Sequence, residues 1–262
     1  MMTNVAFTGK TCAGKNPFRR LAALGMCLFV SMLTFAAERE KVVFVVAHPD
    51  DLAQPSGTAL LLSQKYDVKV VDYTRGENGI DEKGYRDGST GRLRVAEERA
   101  ACKFLNTEPI FLSCVNYRGQ DLAAYEKATR ELVSLFEQWK PRAVFLHWPC
   151  DINPDHMMSS ASAMHALYLS NQSPEIYFFE QTNQTRSFRP THYVNVESVR
   201  ETKKRLMACY VCQNAPDIIA RKTADDIFRG RRVGLWMAEA FAVYEGSIKN
   251  GCGVLDDLPS RR

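Results

Sequence analysis

A run of five apolar residues, Val42-Val43-Phe44-Val45-Val46, is the feature of this sequence that most constrains the fold. Four of the five are β-branched and no polar residue interrupts them, which is typical of a strand buried on both faces of a parallel sheet. The run ends in Ala47-His48-Pro49-Asp50-Asp51, an imidazole and two carboxylates within four positions. Because open α/β sheets bind ligands at the carboxyl ends of their strands, this ending indicates a functional site.

Apolar runs alternate with amphipathic segments along the rest of the chain, the pattern of a parallel sheet with crossover helices. It predicts a single-domain α/β protein with a Rossmann-like three-layer fold and a mostly parallel sheet. Residues 75–91 form a polar stretch with five glycines, and a loop of that length is usually functional. The predicted strands are 42–46, 68–73, 110–115, 143–146 and 176–180; the predicted helices are 56–65, 93–105, 123–139, 157–169, 199–212 and 224–244.

The first 36 residues have the features of a secretory signal peptide. They contain four basic residues and no acid, and an apolar stretch follows over 21–35. The alternative is an uncleaved membrane anchor, but the stretch is short for a membrane span. Removing them lowers Lys+Arg from 34 to 30 and leaves Asp+Glu at 30, so the domain at 37–262 is formally neutral. We therefore expect an exported protein, periplasmic or secreted, with no nucleic-acid partner and no stable membrane insertion after cleavage.

Six cysteines lie beyond residue 36, and an exported protein could pair some of them. The Cys209-Tyr210-Val211-Cys212 spacing has no second pair to complete a zinc knuckle. The expectation is buried structural thiols, with any pairing left open.

The residue types after two predicted strands favour a metal site over a plain helix cap. His48 and Asp51 are three apart, so a helical turn would aim both at one ion, with Asp50 beside it. A metal hydrolase needs ligands that leave a position open for water, and a carboxylate that takes its proton. A second strand, 143–146, runs into His147 and then into a Pro154-Asp155-His156 sequence that offers a further ligand.

AHPDD after the first strand and PDH after a later one resemble the LmbE/PIG-L family of zinc-dependent N-acetylglucosaminyl deacetylases. Three further segments, each weak alone, are similar to family motifs. The resemblance spans nearly all of residues 37–262 and implies an LmbE-like fold. The three segments are Thr74-Arg75-Gly76-Glu77-Asn78-Gly79, Arg94-Val95-Ala96-Glu97 and Ala238-Glu239-Ala240-Phe241.

The resemblance implies one Zn²⁺ per chain, with other divalent metals acceptable, held by His48, Asp51 and His156. It implies that Asp50 is the general base for a metal-bound water that attacks the amide. Arg94 would contact the substrate, a small molecule or glycan. We add two substrate-binding candidates. Asn153 stands where the family has a histidine near the reacting group. His147 is either part of the active-site wall, where it could replace part of that histidine's role, or a core histidine.

Three positions depart from the family pattern: Leu52 stands where Glu is common, and Asn153 and Tyr210 stand where histidines are common. Asn can donate a hydrogen bond but cannot shuttle a proton. Asp155, expected just behind the ligands, could supply part of this missing proton transfer. The sequence thus predicts a zinc-dependent N-acetyl-sugar deacetylase. The alternatives are a catalytically weak sugar-binding protein of the same fold and a zinc amidase for a non-sugar amide. A homo-oligomer is compatible with the sequence.

Overall fold

Strand β1 (Lys41–Val46) is the buried strand that the sequence predicts, and five of its six residues are buried. The computed structural model describes residues 38–79, 89–114, 122–249 and 251–262. The remaining strands are β2 (Asp67–Asp72), β3 (Ile110–Phe111), β4 (Ala143–His147), β5 (Glu175–Phe179), β6 (His192–Asn195), β7 (Ala238–Val243) and β8 (Ser260–Arg261). The helices are α1 (Ser56–Ser63), α2 (Ser89–Cys102), α3 (Leu122–Trp139), α4 (Pro154–Leu169), α5 (Arg200–Met207) and α6 (Ala215–Arg231).

The strands form a sheet in the order β3-β2-β1-β4-β5-β7-β6-β8. Strands β1 to β5 pair in parallel, whereas β7 pairs antiparallel with β5 and with β6, and β8 is antiparallel to β6. The chain moves outward from β1 to β2 and β3, and then returns to place β4 on the other side of β1. This reversal is the topological switch point, where open α/β sheets bind their ligands. The predicted α/β class with a mostly parallel sheet is confirmed.

Alternate residues of β1 enter two separate hydrophobic cores, one on each face of the sheet. Val42, Phe44 and Val46 face a core that also receives side chains from α1, α2, α5 and α6. Val43 and Val45 face a second core, built with α3 and α4. Because both faces are covered, β1 is apolar at every position, as the sequence pattern indicated.

The predicted helix at 224–244 is wrong in its second half. Helix α6 ends at Arg231, and Ala238–Val243 forms β7 in the interior of the sheet. Alanine and glutamate favour helices, so the segment Ala238-Glu239-Ala240 looks helical when only its own residues are considered. A strand buried on both faces also lacks the alternation of apolar and polar residues that would identify it. The predicted helix at 199–212 is also too long, because α5 ends at Met207.

Some predictions fall outside the described residues. The proposed signal peptide at 1–36 lies entirely outside the described residues, and so do residues 80–88 of the loop predicted at 75–91. Residues 89–91, the last three of that predicted loop, are the first three of α2. Among the described residues, no helix is long and apolar enough to cross a membrane. The six cysteines of the described chain are free thiols, and three of them are buried.

Candidate metal centre at the switch point

The turn after β1 brings two predicted ligands together. The N–H of Asp51 donates to the carbonyl of His48 (3.1 Å), which starts a short 3₁₀ turn at Asp51–Ala53. The Oδ2 of Asp51 in return accepts from the backbone N–H of His48 (2.9 Å) and lies 3.2 Å from its Nδ1. The turn requires a left-handed backbone at Asp50, whose φ is 109°. Such strain in a non-glycine residue is often found at functional sites.

The third predicted ligand arrives at the start of α4. Asn153 is the N-cap of this helix, its Oδ1 accepting from the N–H of Asp155 (3.0 Å), and Pro154 takes the first helical position. The first turn then places Nε2 of His156 at 3.4 Å from Oδ1 of Asp51. One ligand atom from each of His48, Asp51 and His156 lies within 4.8 Å of the others, and all three residues are buried.

The second ring nitrogen of each histidine faces another carboxylate. Nε2 of His48 lies 3.1 Å from Oδ2 of Asp155, and Nδ1 of His156 lies 3.3 Å from Oδ1 of Asp151. Metal-ligating histidines are oriented by such partners. Two imidazoles and a carboxylate therefore meet, and each imidazole has a further carboxylate within 3.3 Å of a ring nitrogen. This donor set suits Zn²⁺ and related divalent cations.

The charges of the cluster respond to one another. Burial alone would raise the pKa of Asp51, but His156 and His147 hold it well below its usual value. Burial would lower the pKa of His156, and Asp51 and Asp151 instead raise it to about 10. The pKa of His48 is raised in the same way, since contacts with Asp155 and Asp51 outweigh burial. Protonated histidines thus balance the carboxylates, and a cation that binds here would have to displace those protons.

Asp50 stands beside the ligands with its side chain 23% exposed. The Nη2 of Arg94 donates to Oδ1 of Asp50 (2.7 Å) and also to the carbonyl of Pro49. Burial raises the pKa of Asp50, and the Arg94 guanidinium acts against that rise. Arg94 therefore steadies the predicted base and favours its ionised form.

Two glycines after β2 make room for that guanidinium. A Cβ on Gly76 would lie 2.5 Å from Nη1 of Arg94, and one on Gly79 would lie 2.7 Å from the same atom. Gly76 has a φ of 66° and its carbonyl accepts from Arg94 (3.3 Å). The glycines of the Thr74–Gly79 motif thus serve the arginine of the Arg94–Glu97 motif, a link that spacing alone could not reveal.

Glu98 supports the strained turn from the same face of α2. Glu98 is four residues after Arg94 in α2, so the two side chains share a face of the helix. The Oε2 of Glu98 accepts from the backbone N–H of Asp50 (3.3 Å). Burial raises the pKa of Glu98 to about 7, and burial together with Glu98 raises the pKa of Asp72 well above its usual value. Sequence reasoning missed both carboxyls, although an acid at the end of a buried strand was a signal.

His147 does not reach a substrate position in this structure. It is 1% exposed, it is absent from the described residues that line the cavity, and its Nε2 accepts from the N–H of Ala47 (3.1 Å). Its ring stacks on His156 with centroids 4.3 Å apart. Burial and His156 lower the pKa of His147 to about 4, so it is neutral. We reassign it from substrate binding to support of the ligand set.

The cluster opens into a cavity of about 470 Å³. Arg94 and Asn153 line it, as the sequence predicted of substrate-binding residues, but the Oδ1 of Asn153 is already engaged as the helix cap. Gln184 and Gln213 are lining residues that sequence reasoning missed; Gln213 ends the segment in which Tyr210 replaces a histidine. The described lining consists of His48, Asp50, Asp51, Asn78, Gly79, Arg94, Ile152, Asn153, Pro154, Asp155, His156, Gln184 and Gln213.

A buried ion triad anchors the helix that follows the metal motif. Glu239 of β7 accepts from the N–H groups of Gly57 and Thr58 (2.7 Å each), at the start of α1. Lys203 donates to Glu239 (2.7 Å) and to Asp226 (2.6 Å), and all three ionic side chains are at most 2% exposed. The glutamate of the Ala238–Phe241 motif is thus a helix-terminus anchor rather than part of the reaction.

Comparison with known proteins agrees with this geometry. Residues 43–167 match the family model described as PIG-L, GlcNAc-PI de-N-acetylase. A comparison of the sequence with curated proteins found no significant match.

Three solved structures illustrate the likeness of fold. N,N'-diacetylchitobiose deacetylase from Pyrococcus horikoshii has a TM-score of 0.67 and 18% identity, over 94% of this chain and 99% of that one. The 4-carboxy-2-hydroxymuconate hydratase GalB from Pseudomonas putida KT2440 has a TM-score of 0.70 and 22% identity, over 82% of this chain and 100% of that one. The conserved protein TT1542 from Thermus thermophilus has a TM-score of 0.66 and 22% identity, over 77% of this chain and 93% of that one. At these identities the likeness concerns the fold.

Proposed function

Because this chain belongs to the PIG-L family through its residues 43–167, we propose that it is a zinc-dependent hydrolase that removes an N-acetyl group from an amino sugar or glycoconjugate. The observation that carries the proposal is the meeting of His48, Asp51 and His156 within 4.8 Å, beside a carboxylate that is not needed as a ligand. That carboxylate, Asp50, lies with the three ligands along the wall of one cavity.

His48, Asp51 and His156 would hold the cation, which when bound supplies Lewis acidity toward water and toward an amide carbonyl. Asp50 accepts the proton of the attacking water at its carboxylate, which Arg94 keeps oriented at 2.7 Å. Asn153 cannot return a proton to the departing amine, and the buried Tyr210 does not line the described cavity. Asp155 also lines the cavity, but its Oδ2 lies 3.1 Å from Nε2 of His48 and is engaged there. We therefore assign the return of the proton to Asp50 as well, so that one carboxyl is base and then acid.

The lining of the cavity supports a hydroxyl-rich substrate. Its described side chains include carboxamides at Asn78, Asn153, Gln184 and Gln213, and no aromatic residue. Carboxamides can both donate hydrogen bonds to sugar hydroxyls and accept them, which favours an amino-sugar substrate over an apolar amide.

The decisive experiment measures acetate released from a panel of N-acetylated sugars and glycoconjugates by the purified protein, with and without a chelator. We expect release that stops on metal removal and returns with Zn²⁺. Asp50→Asn should retain metal and lose roughly 10²- to 10⁴-fold in turnover. The exposed Asp217→Asn variant is the matched control. Full activity of Asp50→Asn, or of metal-free protein, would contradict the mechanism.

A second candidate is hydration of a carboxylated enol, favoured by the likeness to the GalB hydratase over the whole of that chain. Arg94 at the cavity wall could pair with a substrate carboxylate. The same protein preparation should be assayed for loss of the ultraviolet absorbance of 4-carboxy-2-hydroxymuconate. Absorbance loss without any acetate release would favour this candidate over deacetylation.

We further propose that the chain is exported through residues 1–36, on the basis of their basic and apolar pattern. Amino-terminal sequencing of the protein recovered from cells and medium tests this directly. A new amino terminus near Ala36 or Ala37 is expected, and an intact Met1 on all of the protein would contradict it.

A further inference from the structure

The carboxyl end of α6 and the turn after it carry an exposed group of arginines and aromatic residues. We call Phe228, Arg231, Arg232 and Trp236 the basic aromatic patch. Phe228 is 55% exposed, Trp236 is 46% exposed, and both arginines are exposed. Single exposed aromatic residues are common, but a group of them in one short segment can mark an interaction surface.

The patch is held together by its own contacts. The guanidinium of Arg231 lies 4.0 Å from the ring centroid of Trp236, and that of Arg232 lies 5.7 Å from the ring of Phe228. The N–H groups of Val233 and Leu235 both donate to the carbonyl of Gly230, which folds the turn back on the helix end. The patch therefore consists of two guanidinium–aromatic pairs within nine residues of the chain.

Its charge is not neutralised locally. Arg229 is paired with Glu180 through two hydrogen bonds, but within the described residues no carboxylate forms an ion pair with Arg231 or Arg232. Beyond residue 37 the chain carries equal numbers of basic and acidic residues, so this is a local excess rather than a property of the whole surface. A local excess suits contact with one anionic surface.

The patch lies at the same end of the sheet as the candidate metal centre. Arg229 binds Glu180, the residue after β5, and the next residue, Gln181, donates from its Nε2 to the carbonyl of Asp51 (2.9 Å). Strand β7, which follows the patch, starts beyond the carboxyl end of β5 because the two strands are antiparallel. A surface bound by the patch would therefore lie at the end of the sheet where the cavity is built.

We propose that the basic aromatic patch docks the protein on an anionic phospholipid membrane. Arginine and tryptophan together favour the headgroup region, where the ring lies at the apolar boundary and the guanidinium pairs with phosphate. Stacking on nucleic-acid bases would need an open aromatic face, whereas Arg231 covers a face of Trp236. The contact is peripheral, since no helix of the described residues could span a membrane, and it does not depend on the proposed hydrolysis.

The test is sedimentation of the full chain with vesicles of phosphatidylcholine containing 0 or about 30% phosphatidylglycerol, at low and high salt. Each arginine near an anionic membrane contributes about fivefold to partitioning. Arg231→Gln combined with Arg232→Gln should therefore weaken binding to the anionic vesicles by about 30-fold. Arg130→Gln combined with Arg200→Gln removes equal charge from exposed positions elsewhere and should leave binding unchanged.

A second measurement distinguishes membrane binding by the patch from membrane binding by residues 1–37, which all variants share. Brominated lipid should quench the fluorescence of Trp236, identified by subtracting the spectrum of Trp236→Phe. Equal sedimentation of the two double variants, or no quenching of Trp236, would overturn the proposal. Binding to heparin or DNA that exceeds binding to anionic vesicles, and is lost in the Arg231 and Arg232 double variant, would instead assign the patch to a soluble polyanion.

Discussion

The Nη2 of Arg94 donates to Oδ1 of Asp50 at 2.7 Å, and this ion pair links helix α2 to the strained turn after β1. The sequence places the two residues 44 positions apart and suggests a substrate contact for Arg94. The structure adds a positioning role, since the same nitrogen also donates to the carbonyl of Pro49. Arg94 thus holds both the carboxylate and the backbone of the predicted base.

Gly79→Ala should disturb Arg94 directly, because the new Cβ would lie 2.7 Å from its Nη1. We expect a loss of about 1–3 kcal/mol in the free energy of unfolding, as is typical of overpacking. In an Arg94→Ala background the same change should cost much less. Urea unfolding of the wild type, both single variants and the double variant measures the coupling; additive effects would contradict the contact.

Asp151→Asn should weaken metal binding although Asp151 is not a predicted ligand. Its Oδ1 lies 3.3 Å from Nδ1 of His156, and its Oδ2 accepts from Thr185. Loss of such an outer partner typically costs roughly 10- to 100-fold in metal affinity. Competition titration with a chromophoric chelator measures the change, with Asp217→Asn as the exposed control. Unchanged affinity would show that His156 needs no carboxylate behind it.

Glu239→Ala should destabilise the whole domain by roughly 3–5 kcal/mol, because it removes one of the two buried acids that pair with Lys203 and leaves two buried N–H groups of α1 without their acceptor. Glu245→Ala removes an exposed acid just after the same strand and should change stability by less than about 0.5 kcal/mol. Denaturant unfolding compares the two. Similar small effects of both substitutions would show that the triad contributes little.

Glu98 gives stability a specific dependence on pH. Burial raises its pKa to about 7 in the folded protein, whereas an unfolded glutamate titrates near about 4.3. Between these values the folded state holds a proton that the unfolded state releases, so stability falls as pH rises from about 4.3 to about 7. The full change amounts to roughly 3 to 4 kcal/mol.

Glu98→Gln cannot titrate, and its free energy of unfolding should therefore decline less than that of the wild type as the pH rises from about 5 to about 7.5. Urea unfolding at half-unit pH intervals measures both curves. Glu108→Gln, an exposed change, should follow the wild type. Parallel curves for Glu98→Gln and the wild type would place the pKa of Glu98 near its ordinary value.

The sequence by itself determined the fold class and located most of the residues of the candidate metal centre. Apolar runs reveal strands buried on both faces, and the polar residues after β1 and β4 stand out because a buried strand gives no structural reason for them. For the same reason the run Ala238–Val243 was misassigned: without alternation, a short apolar segment rich in alanine looks helical.

Only the tertiary structure decided which residues support the ligands. Glu98 and Gln181 act through contacts between segments that are far apart in sequence, and Glu239 contacts α1 across 182 residues. Asp151 is close to His156 in sequence, but nothing in the sequence shows that their side chains meet. His147 stands at a strand end like His48, yet it points to the N–H of Ala47 behind the ligands rather than into the cavity. Strand ends mark where a site can form, but the packing of neighbouring strands decides which side chains face the candidate site.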